Sequence, residues 1–256
     1  MARHFLELAD AATIGTEAYL LTRRTVADLY EAGAMGAVHG EAGTGKTFAV
    51  EEALTNAQSI EACWLSFPSR PTMRLVATTL LAALTRSASP DRNRFEATAQ
   101  LIDVLSHGRR VIVIDEAQRL NRECIEFLRH LHDHPLTTFA LVLVGGDGCW
   151  EVLSREPMLR SRIFRRVVFR PLSCRQVVAM IRHYHPLYHE VADELVDFVD
   201  DQFAHRQLPQ LGRVHTLGPG PLPADGPADP GRGDRAERLC SPWRHRGCAL
   251  RARSRW

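Results

Sequence analysis

The chain has a single lysine: of its 32 basic side chains, 31 are arginine and one is Lys46. That lysine lies in GEAGTGKT, residues 40–47, which matches the phosphate-loop spacing G-x-x-x-x-G-K-[ST]. An ammonium is a compact point charge that fits inside a tight loop, and a planar guanidinium is too broad to replace it. Such a loop must follow a strand and open a helix, so that backbone N–H groups and the positive helix end face one anion. Residues 37–39 read as the strand and 46–57 as the helix. Gly40, Gly43 and Gly45 permit the turn. Glu41, Ala42, Thr44, Lys46, Thr47 and Phe48 complete the expected nucleotide-binding wall, with Thr47 placed to ligate Mg²⁺.

The remaining apolar pattern supplies the frame. Residues 62–67, 111–114, 139–144 and 167–169 read as strands. Residues 73–84, 95–105, 124–131, 177–181 and 191–199 read as helices. Val111 to Ile114 is an unbroken β-branched run, as expected of a strand buried on both faces. Strands alternating with helices predict an α/β fold, a parallel sheet covered on both sides. At the carboxyl end of the 111–114 strand, where open α/β sheets bind ligands, the sequence VIVIDEAQ places Asp115 and Glu116. Alone, the pair would only cap a helix. With a phosphate loop about seventy residues upstream, Asp115 is expected to hold Mg²⁺ through water. Glu116 is expected to orient and deprotonate an attacking water.

Composition limits the classes. At 256 residues and 45% hydrophobic, the chain suits one globular domain with a small appendage. No run of 18 apolar residues predicts a membrane helix, and MARHFLELAD does not read as a secretory signal, so a cytoplasmic protein is expected. Six cysteines without a C-x-x-C pair read as free thiols. The histidines at 130, 132 and 134, and at 183, 185 and 189, read as surface or helix-end groups, not metal ligands. The net charge of +2 divides unevenly: residues 206–256 hold ten arginines against four acids, which leaves the first 205 at −4. The folded part therefore has no overall basic footprint for nucleic acid. Residues 206–256 lose all periodicity and carry half of the 14 prolines, and they read as a disordered Arg/Pro/Gly-rich tail.

The two motifs and their spacing resemble the AAA+ ATPases. IDEAQRLNRECIEFLRHLHD and LVLVGGDGCWEVLSREPMLRSRIFRRVVFRPLS narrow the likeness to the helper ATPases of bacterial transposons, the phage Mu target selector and the TniB-type proteins. That group is related to the ATPase domain of a general-secretion assembly protein. The likeness spans about residues 10–205. It implies a P-loop NTPase three-layer sandwich with a central parallel sheet over residues 1–172, and the start of a helical lid over 173–205. It also implies ATP as ligand, with hydrolysis to ADP and phosphate. The family's polar sensor at the end of the fourth strand, usually Asn, falls on Asp147, an acid that accepts but does not donate unless protonated. Arg162 in LRSRIF matches the arginine finger sent into a neighbouring subunit, which implies a ring or filament.

The same resemblance implies an ATP-dependent regulator of DNA transposition that binds target duplex and stimulates a transposase. Two alternatives stand beside it: a secretion-assembly ATPase, and a catalytically impaired remnant that only binds nucleotide. The remnant reading has a sequence basis. The family's lid continues into an Asn/Arg sensor segment, which this chain approaches at FVDDQFAH and then loses. Residues 205–216 can be encoded by a GC-rich string that, with one base removed near its start, reads HGNFRNWAEFTH and restores lid-like text. Residues from about 206 are accordingly expected to be a one-base frameshift product.

Overall fold

Two strands without a polar face set the centre of the molecule. β3 (Arg110–Asp115) and β4 (Phe139–Gly145) are buried along their whole length. Each fully buried Val, Leu or Ile contributes about 1.5–3 kcal/mol relative to an exposed one, so these runs are driven inside whatever flanks them. Around them, β1 (Met35–Gly40), β2 (Ala62–Ser66) and β5 (Ile163–Phe169) complete a five-stranded sheet in the order β2-β3-β4-β1-β5. Every neighbouring pair is parallel. β3 sends Ile112 and Ile114 to one face and Val111 and Val113 to the other.

This is a computed structural model that describes residues 12–57, 60–87 and 93–204. They fall into two compact units: Gly15–Pro171, and the described parts of Met1–Ile14 and Leu172–Trp256. The expected tail and frame break lie outside the described residues. Among the described residues, no helix is long and apolar enough to cross a membrane.

In the larger unit, helices cover both faces of the sheet, giving the three layers expected. On one face lie α1 (Glu17–Ala32) and α2 (Lys46–Asn56), packed on Val38, Val142, Val144 and Val167. The other carries α3 (Met73–Thr85), α4 (Arg94–Ser106) and α5 (Arg122–Asp133), followed by the short α6 (Cys149–Ser154) and α7 (Pro157–Arg160). In the smaller unit, α8 (Cys174–Tyr184) opens with a capping box between Ser173 and Gln176 and packs Val177 and Ile181 against Val196 of α9 (Asp193–Val199).

The sequence reading misses α1. The helix is well formed, with Thr16 capping its start and Gly33 in the left-handed conformation at its end. Its buried face, however, is Tyr19, Thr22, Thr25, Val26 and Leu29, while Leu20 and Leu21 point outward. Thr22 Oγ1 donates to the Ala18 carbonyl at 2.7 Å, so a hydroxyl is buried without loss. The apolar stripe that would reveal the helix is therefore broken. β5 begins four residues earlier than expected, because Phe164, Arg165 and Arg166 are exposed on an edge strand and do not read as a buried run.

His132, on α5, is half-buried with its ring edge against Phe139 at 5.2 Å. Its Nε2 is buried with no hydrogen-bond partner. Burial pushes its pKa down and Arg162 adds to this, outweighing a bond to the Gly33 backbone and the charge of Asp133. The folded state thus favours neutral imidazole. Its contribution is whole above the ordinary pKa of about 6.5 and is lost as pH falls below it, by at most about 1.4 kcal/mol per pH unit. Urea midpoints should fall between pH 7.5 and 5.5, and His132→Phe should show a shallower fall. An equal slope in both proteins would remove His132 as a cause.

Candidate nucleotide-binding site

The strand order brings the ends of β1, β4 and β3 side by side, with β4 in the middle. β1 runs into the phosphate loop at Gly40. This residue sits at φ +142, and an added Cβ would lie 1.9 Å from the Phe169 carbonyl oxygen of β5, so the loop leaves the sheet through a position only glycine fills. The loop ends at Gly45, left-handed at the N-cap of α2. The first residue of that helix is Lys46.

Lys46 is 8% exposed. Its Nζ donates to the Glu41 carbonyl and lies 3.5 Å from Thr44 Oγ1, which itself donates to the Glu41 carbonyl at 2.8 Å. The ammonium therefore spans the loop. Burial lowers its pKa, opposed by the charges of Asp147, Asp115 and Glu116. Thr47 Oγ1 donates to Asp115 Oδ2 at 3.3 Å, joining the first turn of α2 to the end of β3 across 68 residues. Asp115 Oδ1 accepts from the Glu116 N–H at 2.8 Å. Burial raises the Asp115 pKa, and the bonds from Glu116 and Thr47 and the charge of Lys46 only partly offset it. A raised carboxyl disfavours the folded state as pH rises through its titration, and a nearby divalent cation would offset that cost. A hydroxyl and a carboxylate converging beside a buried ammonium are hard oxygen donors suited to Mg²⁺ and a phosphate chain. Thr47 and Asp115 would hold the metal, which would neutralise phosphate charge.

Glu116 follows at φ +56, left-handed for a residue with a side chain. Its Oε2 accepts from Gln118 Nε2 at 2.6 Å and lies 3.6 Å from an Arg119 nitrogen. Gln118 reaches further: its Oε1 accepts from the Gly146 N–H at the end of β4, at 3.1 Å. A Cβ on Gly145 would come within 2.4 Å of both that Oε1 and Cys149 Sγ. The sequence reading did not single out Gln118. The tandem Gly145-Gly146 after a buried strand was the available signal for a close approach.

The other expected residues are placed less centrally. Asp147 is exposed, with its charge acting on Lys46. Phe48 stacks on Tyr19 of α1 at 6.3 Å. Arg162, just after α7, donates from Nε to Asp133 Oδ1 at 2.7 Å and from Nη1 to the Met158 carbonyl at 3.2 Å. Burial works against the Asp133 charge, but Arg162 and Arg129 outweigh it and hold that carboxyl below its ordinary range. Arg162 is thus engaged within its own chain. Behind the loop, His39 stacks on Trp150 at 5.8 Å and the Arg166 guanidinium covers that indole at 4.5 Å. The sequence gives no sign of this tier.

Comparison with known proteins bears on the fold. Curated protein sequences returned no match. Among solved structures, Cdc6p of Pyrobaculum aerophilum is similar with a TM-score of 0.65 at 15% identity, over 83% of this chain and 63% of that one. The Aeropyrum pernix ORC2 protein, solved with ADPNP and ADP, gives 0.59 at 14% identity, over 84% and 65%. The Aeropyrum pernix ORC1 protein in complex with DNA gives 0.58 at 17% identity, over 85% and 62%. The chain thus spans slightly less than two thirds of the length of each, and at these identities the likeness establishes the fold. Residues 29–153 match the family model of an AAA domain, and the α/β fold around them, with its five-stranded parallel sheet, is similar to the fold of these structures.

Proposed function

We propose that the chain is an ATP-hydrolysing AAA+ switch that regulates DNA transposition, binding target duplex as an oligomer and stimulating a transposase. The observation that carries the ATPase part is the join of Thr47 to Asp115 beside the buried Lys46. Lys46 neutralises phosphate charge and Thr47 and Asp115 hold Mg²⁺. Glu116 takes the proton from the water that attacks the terminal phosphorus, as the β–γ bridging oxygen leaves. Arg162 completes a neighbour's site. Its ion pair with Asp133 is partly exposed, and such pairs contribute about 1 kcal/mol or less, so a neighbour's phosphate charge is enough to draw it away.

The DNA part is supported by the sequence resemblance to transposon helper ATPases and, at the level of fold, by an ORC1 structure solved with DNA. The reading as a nucleotide-binding remnant is favoured by Arg162 being tied to its own Asp133. One assay separates them: ATP turnover with and without duplex DNA at low salt. The transposition reading predicts turnover that rises several-fold with DNA, because duplex aligns subunits and brings Arg162 to the adjacent site. Turnover unchanged by DNA contradicts the DNA role, and binding without turnover supports the remnant.

A further inference from the structure

Resting on the hydrolysis reading, we infer that Gln118 is a positioning residue that holds the Glu116 carboxylate and supplies the polar group at the end of β4. Three observations converge on its carboxamide. Its Nε2 donates to Glu116 Oε2 at 2.6 Å. Its Oε1 accepts from Gly146 N–H at 3.1 Å. Gly145 leaves a space that a Cβ would close, since that atom would stand 2.4 Å from Oε1.

The amide therefore spans from the acidic pair on β3 to the neighbouring strand that separates it from the phosphate loop. Glu116 needs such support, because a left-handed backbone at φ +56 is costly for a residue with a side chain and persists only where surroundings fix it. Gln118 and Arg119 both engage Oε2, so on this reading Oε1 is the oxygen that takes the proton. With its oxygen held by the β4 backbone, the amide cannot flip, so Nε2 always faces Glu116. The same bond would transmit any shift at the end of β4, which neighbours the strand that feeds the loop, to the base.

The test is steady-state ATP turnover by the full chain carrying Gln118→Met, which keeps the length and removes both hydrogen bonds, and Gln118→Ala. Each is also made in a Glu116→Gln background. The expected result is a kcat lower by about 10- to 100-fold, as for other groups that orient a reacting one, with KM and ADP affinity unchanged. Added to Glu116→Gln, neither change should lower kcat further, because a residue acting through Glu116 has nothing left to position. Unchanged ADP affinity shows that the variants fold. Wild-type kcat in Gln118→Met, or a full further loss on top of Glu116→Gln, overturns the inference while the hydrolysis reading stands. A wild-type chain with no turnover above Lys46→Ala overturns the hydrolysis reading and this inference with it.

Discussion

Glu116→Gln is expected to lower ATP turnover by about 10²- to 10⁴-fold, the usual worth of a positioned general base, while leaving ATP affinity close to that of the wild type. The separation follows from where the residue sits. On the proposed reading, binding falls to the loop, to Lys46 and to the Thr47–Asp115 pair. The Glu116 side chain engages Gln118 and Arg119, both outside the loop. An amide in place of the carboxylate keeps the size and an acceptor for Gln118, so packing around Gly145 and Gly146 is retained. What disappears is the group that takes the proton. Single-turnover kinetics with labelled ATP should show bound, uncleaved nucleotide. Cleavage at the wild-type rate would move the base elsewhere; Asp147, whose charge already acts on Lys46, is then next to test.

The site was legible in the sequence to the extent that its chemistry is local. GEAGTGKT carries its own geometry, and an acidic pair after a β-branched run marks the end of a central strand, so the loop, Lys46, Thr47, Asp115 and Glu116 could be named with their strand and helix. Contacts made across the sheet were less legible. Gln118 matters through Gly145 and Gly146 of β4, and that pairing appears only once β4 lies between β1 and β3. The stack of His39, Trp150 and Arg166 joins three separate elements for the same reason. The fold was read where burial is symmetric, as in β3 and β4, and missed where it departs from the apolar code. α1 buries threonines and exposes leucines. β5 exposes Phe164 and two arginines because it is an edge. The engagement of Arg162 by Asp133 was likewise out of reach, since it needs α5 and the end of α7 in register.

Lys46→Ala should weaken nucleotide binding strongly where Glu116→Gln spares it. The ammonium is the one buried cation of the loop, already largely desolvated and held by the Glu41 carbonyl and the Thr44 hydroxyl. The desolvation cost is therefore met before ATP arrives, and the charge acts at short range in a weakly screened site. A charge-assisted contact of this kind is worth about 2–3 kcal/mol, or ~30- to 150-fold in affinity. The variant also loses the link between loop and helix, but the hydrophobic packing of α2 through Ala49, Val50, Ala53 and Leu54 remains, so the fold should survive. The most direct measurement is calorimetric titration of ATP with Mg²⁺ into the wild-type chain and into Lys46→Ala. One site per chain in the wild type, weakened at least 30-fold by the substitution and also weakened when Mg²⁺ is withheld, is the predicted result. Equal affinity in the two proteins would contradict the assignment of the phosphate loop as the nucleotide site.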